Sequence, residues 1–255
     1  MADLSGTAEF LPADAARGIG VVAPFDFALD DEYLRWLGPG VGMYATRTPY
    51  LDVPVSIEMA EAVSDIDEVV AASRAVREAR PAAVVYACTS GSFVAGMAGE
   101  RALCAAMREA AAAPAVTTSG ALLDALAALD VRTVAVATPY DAPVTDRLAS
   151  FLAEAGHRVA GCAWLGLQAD IARVAAPSVR RLVEAADTPE ADAVFISCTN
   201  LRTFDLLEDL EGELGKPVLS ANQVSLWAAL RAGGLPAAPV KQRLFQVDTP
   251  AGERR

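Results

Sequence analysis

Arg132–Asp141 reads RTVAVATPYD, a run of small and β-branched apolar residues that stops at Thr, Pro, Tyr and Asp. A short apolar run without alternating polarity reads as a buried strand, and the Thr-Pro-Tyr-Asp end reads as the loop that leaves it. The same pattern stands near the start of the chain, where Arg17–Asp26 reads RGIGVVAPFD, with Pro24 in the place of Pro139. Two further pairs follow in the same order and at nearly the same offset. AAVVYACTSGS (from Ala82) pairs with ADAVFISCTNLR (from Ala191), and PAVTTSGALLDAL (from Pro114) pairs with PVLSANQVSLWAAL (from Pro217). Three matched segments in register mark a duplicated unit.

Working outward, candidate strands at 19–23, 84–87, 115–118, 133–138, 159–163, 193–197 and 217–220 alternate with helical patterns. The helices are expected at 31–37, 66–80, 121–129, 143–155, 178–186 and 223–232. Buried strands alternating with helices indicate an α/β fold with parallel sheets. The duplication makes it two α/β lobes related by a pseudo-twofold axis, residues 1–130 and 131–255, with terminal elements free to pack on the opposite lobe. The site is expected in the cleft between the lobes, because ligands gather at the carboxyl ends of parallel strands.

Composition bounds the function. The 255 residues carry a net charge of −12 and 53% apolar residues, with no basic stripe and no apolar run long enough to span a bilayer. Neither nucleic acid nor a membrane is expected as a partner. The acidic start, MADLSGTAEFLPADAARG, reads as a short lead-in rather than a secretory signal, so a soluble, cytoplasmic protein is expected. Four cysteines and one histidine, with no CxxC pair, do not suggest a disulfide framework or a zinc site. No phosphate-binding glycine motif follows any strand, and neither a metal nor an organic cofactor is expected.

The duplication puts Cys88 and Cys198 at the same position of each unit, one at each wall of the cleft. Two facing thiols can take a proton from one side of a carbon and return one from the other. Both precede threonine and residues able to open a helix, whose N–H groups lower a thiol's pKa. The hydroxyls of Thr89, Ser90 and Thr199 can hold a carboxylate or an enediolate. Cys104 and Cys162 read instead as small buried hydrophobes. Asp141 reads as a turn or cap residue, and Asn222–Gln223 as a helix N-cap and first turn.

Together the duplication, CTSGSF (from Cys88), SCTNLRT (from Ser197), TPY (from Thr138) and GKPVLSANQ with Trp227 resemble the aspartate/glutamate racemase superfamily. That superfamily includes maleate cis–trans isomerases and arylmalonate decarboxylases. The nearest likeness is to maleate isomerases and their ectoine-utilisation relatives, from about Gly18 to Gly234. The resemblance implies Cys88 as nucleophile or base and Cys198 as the second acid/base. It implies Tyr140 as a donor to a substrate carboxylate, with Thr89, Ser90, Thr199, Pro24 and Asp26 around the substrate. The chain departs from amino-acid racemases at Thr89 and at Asn200–Leu201, and from the decarboxylases by keeping Cys88. It departs from maleate isomerases at Asp26, where they carry Asn.

The expected activity is cofactor-independent isomerisation of a small carboxylic acid, by cis–trans isomerisation or racemisation. The alternatives are decarboxylation of a malonate-type acid through an enediolate, and ligand binding without catalysis. A homo-oligomer, a dimer, is expected, as is a bell-shaped pH profile centred near neutral to mildly alkaline pH.

Overall fold

The computed structural model describes residues 18–247, so the N-terminal lead-in lies outside the described residues. The first lobe runs β1 (Gly18–Ala23), α1 (Asp30–Leu34), β2 (Gly42–Arg47), α2 (Ile57–Val63), α3 (Ile66–Arg77), β3 (Ala83–Tyr86), α4 (Thr89–Phe93), α5 (Gly96–Ala111), β4 (Ala115–Thr117) and α6 (Thr118–Ala128). The second runs β5 (Thr133–Thr138), α7 (Ala142–Glu154), β6 (Arg158–Trp164), α8 (Ala176–Ala186), β7 (Ala193–Ile196), α9 (Phe204–Leu214), β8 (Val218–Ser220) and α10 (Ala221–Gly233).

The strands form two four-stranded sheets, ordered β2-β1-β3-β4 and β6-β5-β7-β8, with parallel pairing throughout. The identical order is the structural form of the sequence repeat. The inner strands β1, β3 and β7 are wholly buried and β5 is buried beyond Thr133, which is why they carry no alternating polarity.

Local signals set the helix starts. Asp65 accepts from the N–H groups of Asp67 and Glu68 to begin α3, and Arg74 and Arg77 sit in its last turn, where the helix dipole favours cations. Asp141 caps α7 as its sequence position suggests, its Oδ1 accepting from Val144 at 3.1 Å. For α10 the cap is Ser220, in a capping box with Gln223, rather than Asn222. Asn222 is thereby free to point inward.

The elements absent from the sequence reading include β2, α2, α5 and α9. The edge strand β2 is half-buried and mixed in polarity, so it lacks the apolar run that marks the central strands. Cys162 corrects an expectation. It is exposed rather than buried, because β6 is also an edge strand and exposes several of its residues to solvent.

The lobes share one core. Buried side chains of both sheets, among them Ile19, Val85, Val136 and Phe195, belong to a single apolar cluster. Helix α10 follows the last strand of the second sheet yet packs on α6, β3 and β4 of the first lobe. Its Val224, Leu226, Trp227 and Leu230 are buried there, each side chain stabilising by roughly 1.5–3 kcal/mol. This exchange holds the carboxyl ends of the two sheets against each other. No helix among the described residues is long and apolar enough to cross a membrane.

Candidate active site

Cys88 stands two residues beyond the end of β3, and Cys198 two residues beyond the end of β7. Both line one cavity of about 30 Å³, about the space of one or two waters. All eight residues singled out from sequence line it: Pro24 and Asp26 after β1, Cys88, Thr89 and Ser90 after β3, Tyr140 after β5, and Cys198 and Thr199 after β7. Asn200 joins them, and Val55, Met59, Val63 and Ile171 close the space. The spacing of Val55, Met59 and Val63 is an apolar helical stripe, the signal by which the cover could have been found.

The two cysteines look alike in sequence and differ in backbone. Cys88 is extended at φ −144° and caps α4, its Sγ accepting the Gly91 N–H at 3.4 Å. A Cβ on Gly91 would come within 2.6 Å of Tyr86 Oη and 3.2 Å of Cys88 Sγ, so only glycine lets this turn close on the thiol. Cys198 has φ +85°, a left-handed conformation that costs a non-glycine residue roughly 1–3 kcal/mol. It opens a turn rather than the expected helix, and α9 begins only at Phe204. Its Sγ accepts from the Asn200 N–H at 3.4 Å.

Electrostatics also differ from expectation. The N–H of Gly91, with Tyr86 and Ser90, pulls the Cys88 thiol down, and the N–H of Asn200 with Tyr140 does so for Cys198. Burial outweighs both sets and pushes Cys88 up to about 11 and Cys198 up to about 12. Asp26 adds to both shifts, since its charge opposes a thiolate. Burial raises the Asp26 carboxyl as well, against the pull of Asn200 and Arg47.

The donors for an anion are neutral. Thr89 Oγ1 is buried in the cavity wall with no hydrogen-bond partner among the described residues. Tyr140 is buried beside Cys198. Among the described residues no Lys or Arg lines the cavity: Arg47 pairs with Asp30 at 2.6 Å and Arg202 with Asp31 at 2.7 Å. Among the described residues no cluster of His, Cys, Asp or Glu could hold a metal.

Cys104 lies apart, on α5, donating to the Ala115 carbonyl at 3.2 Å. Cys104→Ala is therefore expected to lose about 1 kcal/mol or less and to leave turnover within twofold of the parent. A folded Cys104 variant without activity would displace the site from this cavity.

A family model described as arylmalonate decarboxylase matches residues 55–245. The chain is 40% identical to the arylmalonate decarboxylase of Bordetella bronchiseptica over 189 residues, 71% of this chain and 78% of the relative. It is 30% identical to the maleate isomerase of Nocardia farcinica over 185 residues, 68% of this chain and 73% of the relative. The solved structure of a cysteine-to-serine variant of the Nocardia farcinica maleate cis–trans isomerase, holding a covalently bound succinylcysteine intermediate, superposes with a TM-score of 0.80. That match is at 25% identity and covers 91% of this chain and 99% of the other.

Proposed function

We propose a function that starts from family: the chain belongs to the arylmalonate decarboxylase family, in the aspartate/glutamate racemase-like superfamily, and its two thiols suit it to cofactor-independent isomerisation of a small carboxylic acid. The observation that carries this reading is that Cys88 and Cys198, from different lobes, line the same small cavity. Decarboxylation through an enediolate needs a single proton donor, whereas isomerisation at one carbon uses a base on one face and a proton donor on the other.

In the racemising form, one thiolate removes the α-proton, the C–H electron pair passes into the enediolate, and the opposite thiol protonates the other face. Thr89, Ser90 and Tyr140 hold the carboxylate as its charge grows. In the cis–trans form the Cys88 thiolate adds to the C=C bond and the carbanion takes a proton from Cys198. The new single bond then rotates, and loss of that proton and of the thiolate restores the double bond. The succinylcysteine of the Nocardia isomerase lends this form support.

A second reading is favoured by the cover. Val55, Met59, Val63 and Ile171 form an apolar wall, and a carboxylate pressed against it loses hydration. Loss of CO₂ would relieve that penalty, and Cys198, held protonated by burial, would deliver the proton. In either reading a cavity of this size must open for substrate. The Val55 N–H bond to Gln168 O, 2.9 Å across the lobes, ties one cavity-lining residue to the opposite lobe.

Incubating the protein in D₂O with arylmalonates, α-substituted monocarboxylates and maleate, followed by proton NMR, tests the reading. Deuterium at the α-carbon of a recovered monocarboxylate, or cis–trans conversion of maleate, is expected. CO₂ loss from an arylmalonate, with deuterium only in its decarboxylation product and neither of those outcomes, would replace the first reading by the second.

Asp26 sets an expectation for substrate. It lines the same cavity as both thiols and its charge raises both, so it opposes a second carboxylate bound there. Asp26→Asn is expected to lower KM for a dicarboxylate about tenfold while changing that for a monocarboxylate less than twofold. Equal effects on both would remove charge from the account.

A further inference from the structure

We infer that Glu32 is a positioning residue for Cys198: from the first lobe, its buried carboxylate holds Thr203 and keeps the Cys198 turn in its left-handed conformation. The inference rests on the reading of Cys198 as a reacting thiol.

A strained backbone persists only where the surroundings hold it at both ends. Upstream, Cys198 is tied to β7 in the centre of its sheet. Downstream, the chain is held from the other lobe. Residues 26–35 lie along residues 200–205 and bind them at successive points. Asn200 Oδ1 accepts from the Ala28 N–H at 2.9 Å, and its Nδ2 donates to the Asp26 carbonyl at 3.1 Å. Glu32 accepts from the Thr203 N–H at 3.0 Å and the Thr203 hydroxyl at 2.9 Å. Asn222 Nδ2 donates to the same carboxylate at 3.1 Å. Arg202–Asp31 and Arg35–Asp205 complete the seam as exposed ion pairs.

These contacts are unequal. Exposed ion pairs hold geometry weakly. Glu32 is fully buried, and without it the Thr203 N–H and Asn222 Nδ2 would be unpaired in a dry interior, while the Thr203 hydroxyl would keep only Ser220 Oγ at 2.9 Å. A carboxylate on α1, remote in sequence from Thr203, thus closes the turn that begins at Cys198. The Cys88 backbone is held instead by hydroxyls, Ser92 Oγ donating to the Cys88 carbonyl at 2.7 Å and Thr199 Oγ1 to the Ala87 carbonyl at 3.1 Å, and its extended conformation carries no left-handed strain.

The test is site-resolved mass spectrometry of iodoacetamide labelling on the full chain, without substrate, comparing the parent with Glu32→Gln. The isosteric amide puts an N–H₂ group where the carboxylate accepts, opposing the Thr203 or Asn222 donors. Cys198 is expected to label at least about tenfold faster in the variant, with Cys88 within twofold of the parent. Thr203→Val, which removes the hydroxyl shared between Glu32 and Ser220 and keeps the backbone donor, is expected to shift Cys198 selectively by about threefold, and it serves where Glu32→Gln does not fold. An unchanged Cys198 rate in a folded variant overturns the inference. So does a parallel rise at Cys88, which would report a general loosening. Because labelling needs no turnover, either outcome stands apart from whether Cys198 reacts with substrate.

Discussion

Cys198→Ala should lower kcat/KM by about 100- to 10,000-fold for any substrate of this site, the usual worth of a positioned proton-transfer group. Both proposed reactions pass a proton through this thiol. Alanine suits the experiment because it meets the same left-handed backbone with the same steric cost, so backbone strain is not altered along with the chemistry. Cys88→Ala then separates the two readings. A two-thiol isomerase loses activity by a comparable factor. A decarboxylase using Cys198 alone retains most of its rate, although its product loses nothing in stereochemical purity. Both variants should melt within a few degrees of the parent, since each deletes one small buried atom. Full isomerase activity in a folded Cys88→Ala protein would end the paired mechanism.

The second large effect is in pH. Burial raises both thiols, to about 11 and about 12, so each keeps its proton throughout the neutral range. Below a thiol's pKa the thiolate fraction grows tenfold per pH unit. Labelling of Cys88 and Cys198 by iodoacetamide should accordingly rise about 1,000-fold between pH 7 and pH 10. At neutral pH it should run at least about 100-fold slower than labelling of an ordinary exposed thiol. Thiolate-dependent isomerisation should climb over the same range, which moves the profile to more alkaline pH than the sequence suggests. Decarboxylation that uses the protonated Cys198 should instead be flat up to pH 9. A plateau in labelling already at pH 8 would show that the N–H groups of Gly91 and Asn200 overcome burial. The acid/base assignment would then revert to that of low-pKa thiols.

Why these values escaped sequence reasoning is instructive. The features that lower a thiol's pKa are local: a hydroxyl or an N–H a few residues onward, visible in CTSGSF and SCTNLRT. The feature that raises it is burial, produced by α2 folding over the site and by the opposite lobe closing upon it. Local donors can be counted along the chain, but desolvation depends on what covers the group.

The same division runs through the molecule. The amino-acid sequence by itself determined the repeated strand pattern, the α/β class and the placement of eight site residues at strand ends. The strand pattern, the class and the pairing of Cys88 with Cys198 follow from short-range periodicity and from a duplication that repeats it, whereas Pro24, Asp26 and Tyr140 are marked by the resemblance to the racemase superfamily. Only the tertiary structure decided that the two look-alike Cys-Thr pairs diverge, with Cys88 opening a helix and Cys198 held left-handed. It also decided that α10 crosses to the first lobe, and that Glu32 and Asn200 bind segments some 170 residues apart. Backbone conformation at Cys198 is chosen by contacts from the opposite lobe, and no local propensity of the sequence Cys-Thr-Asn encodes them.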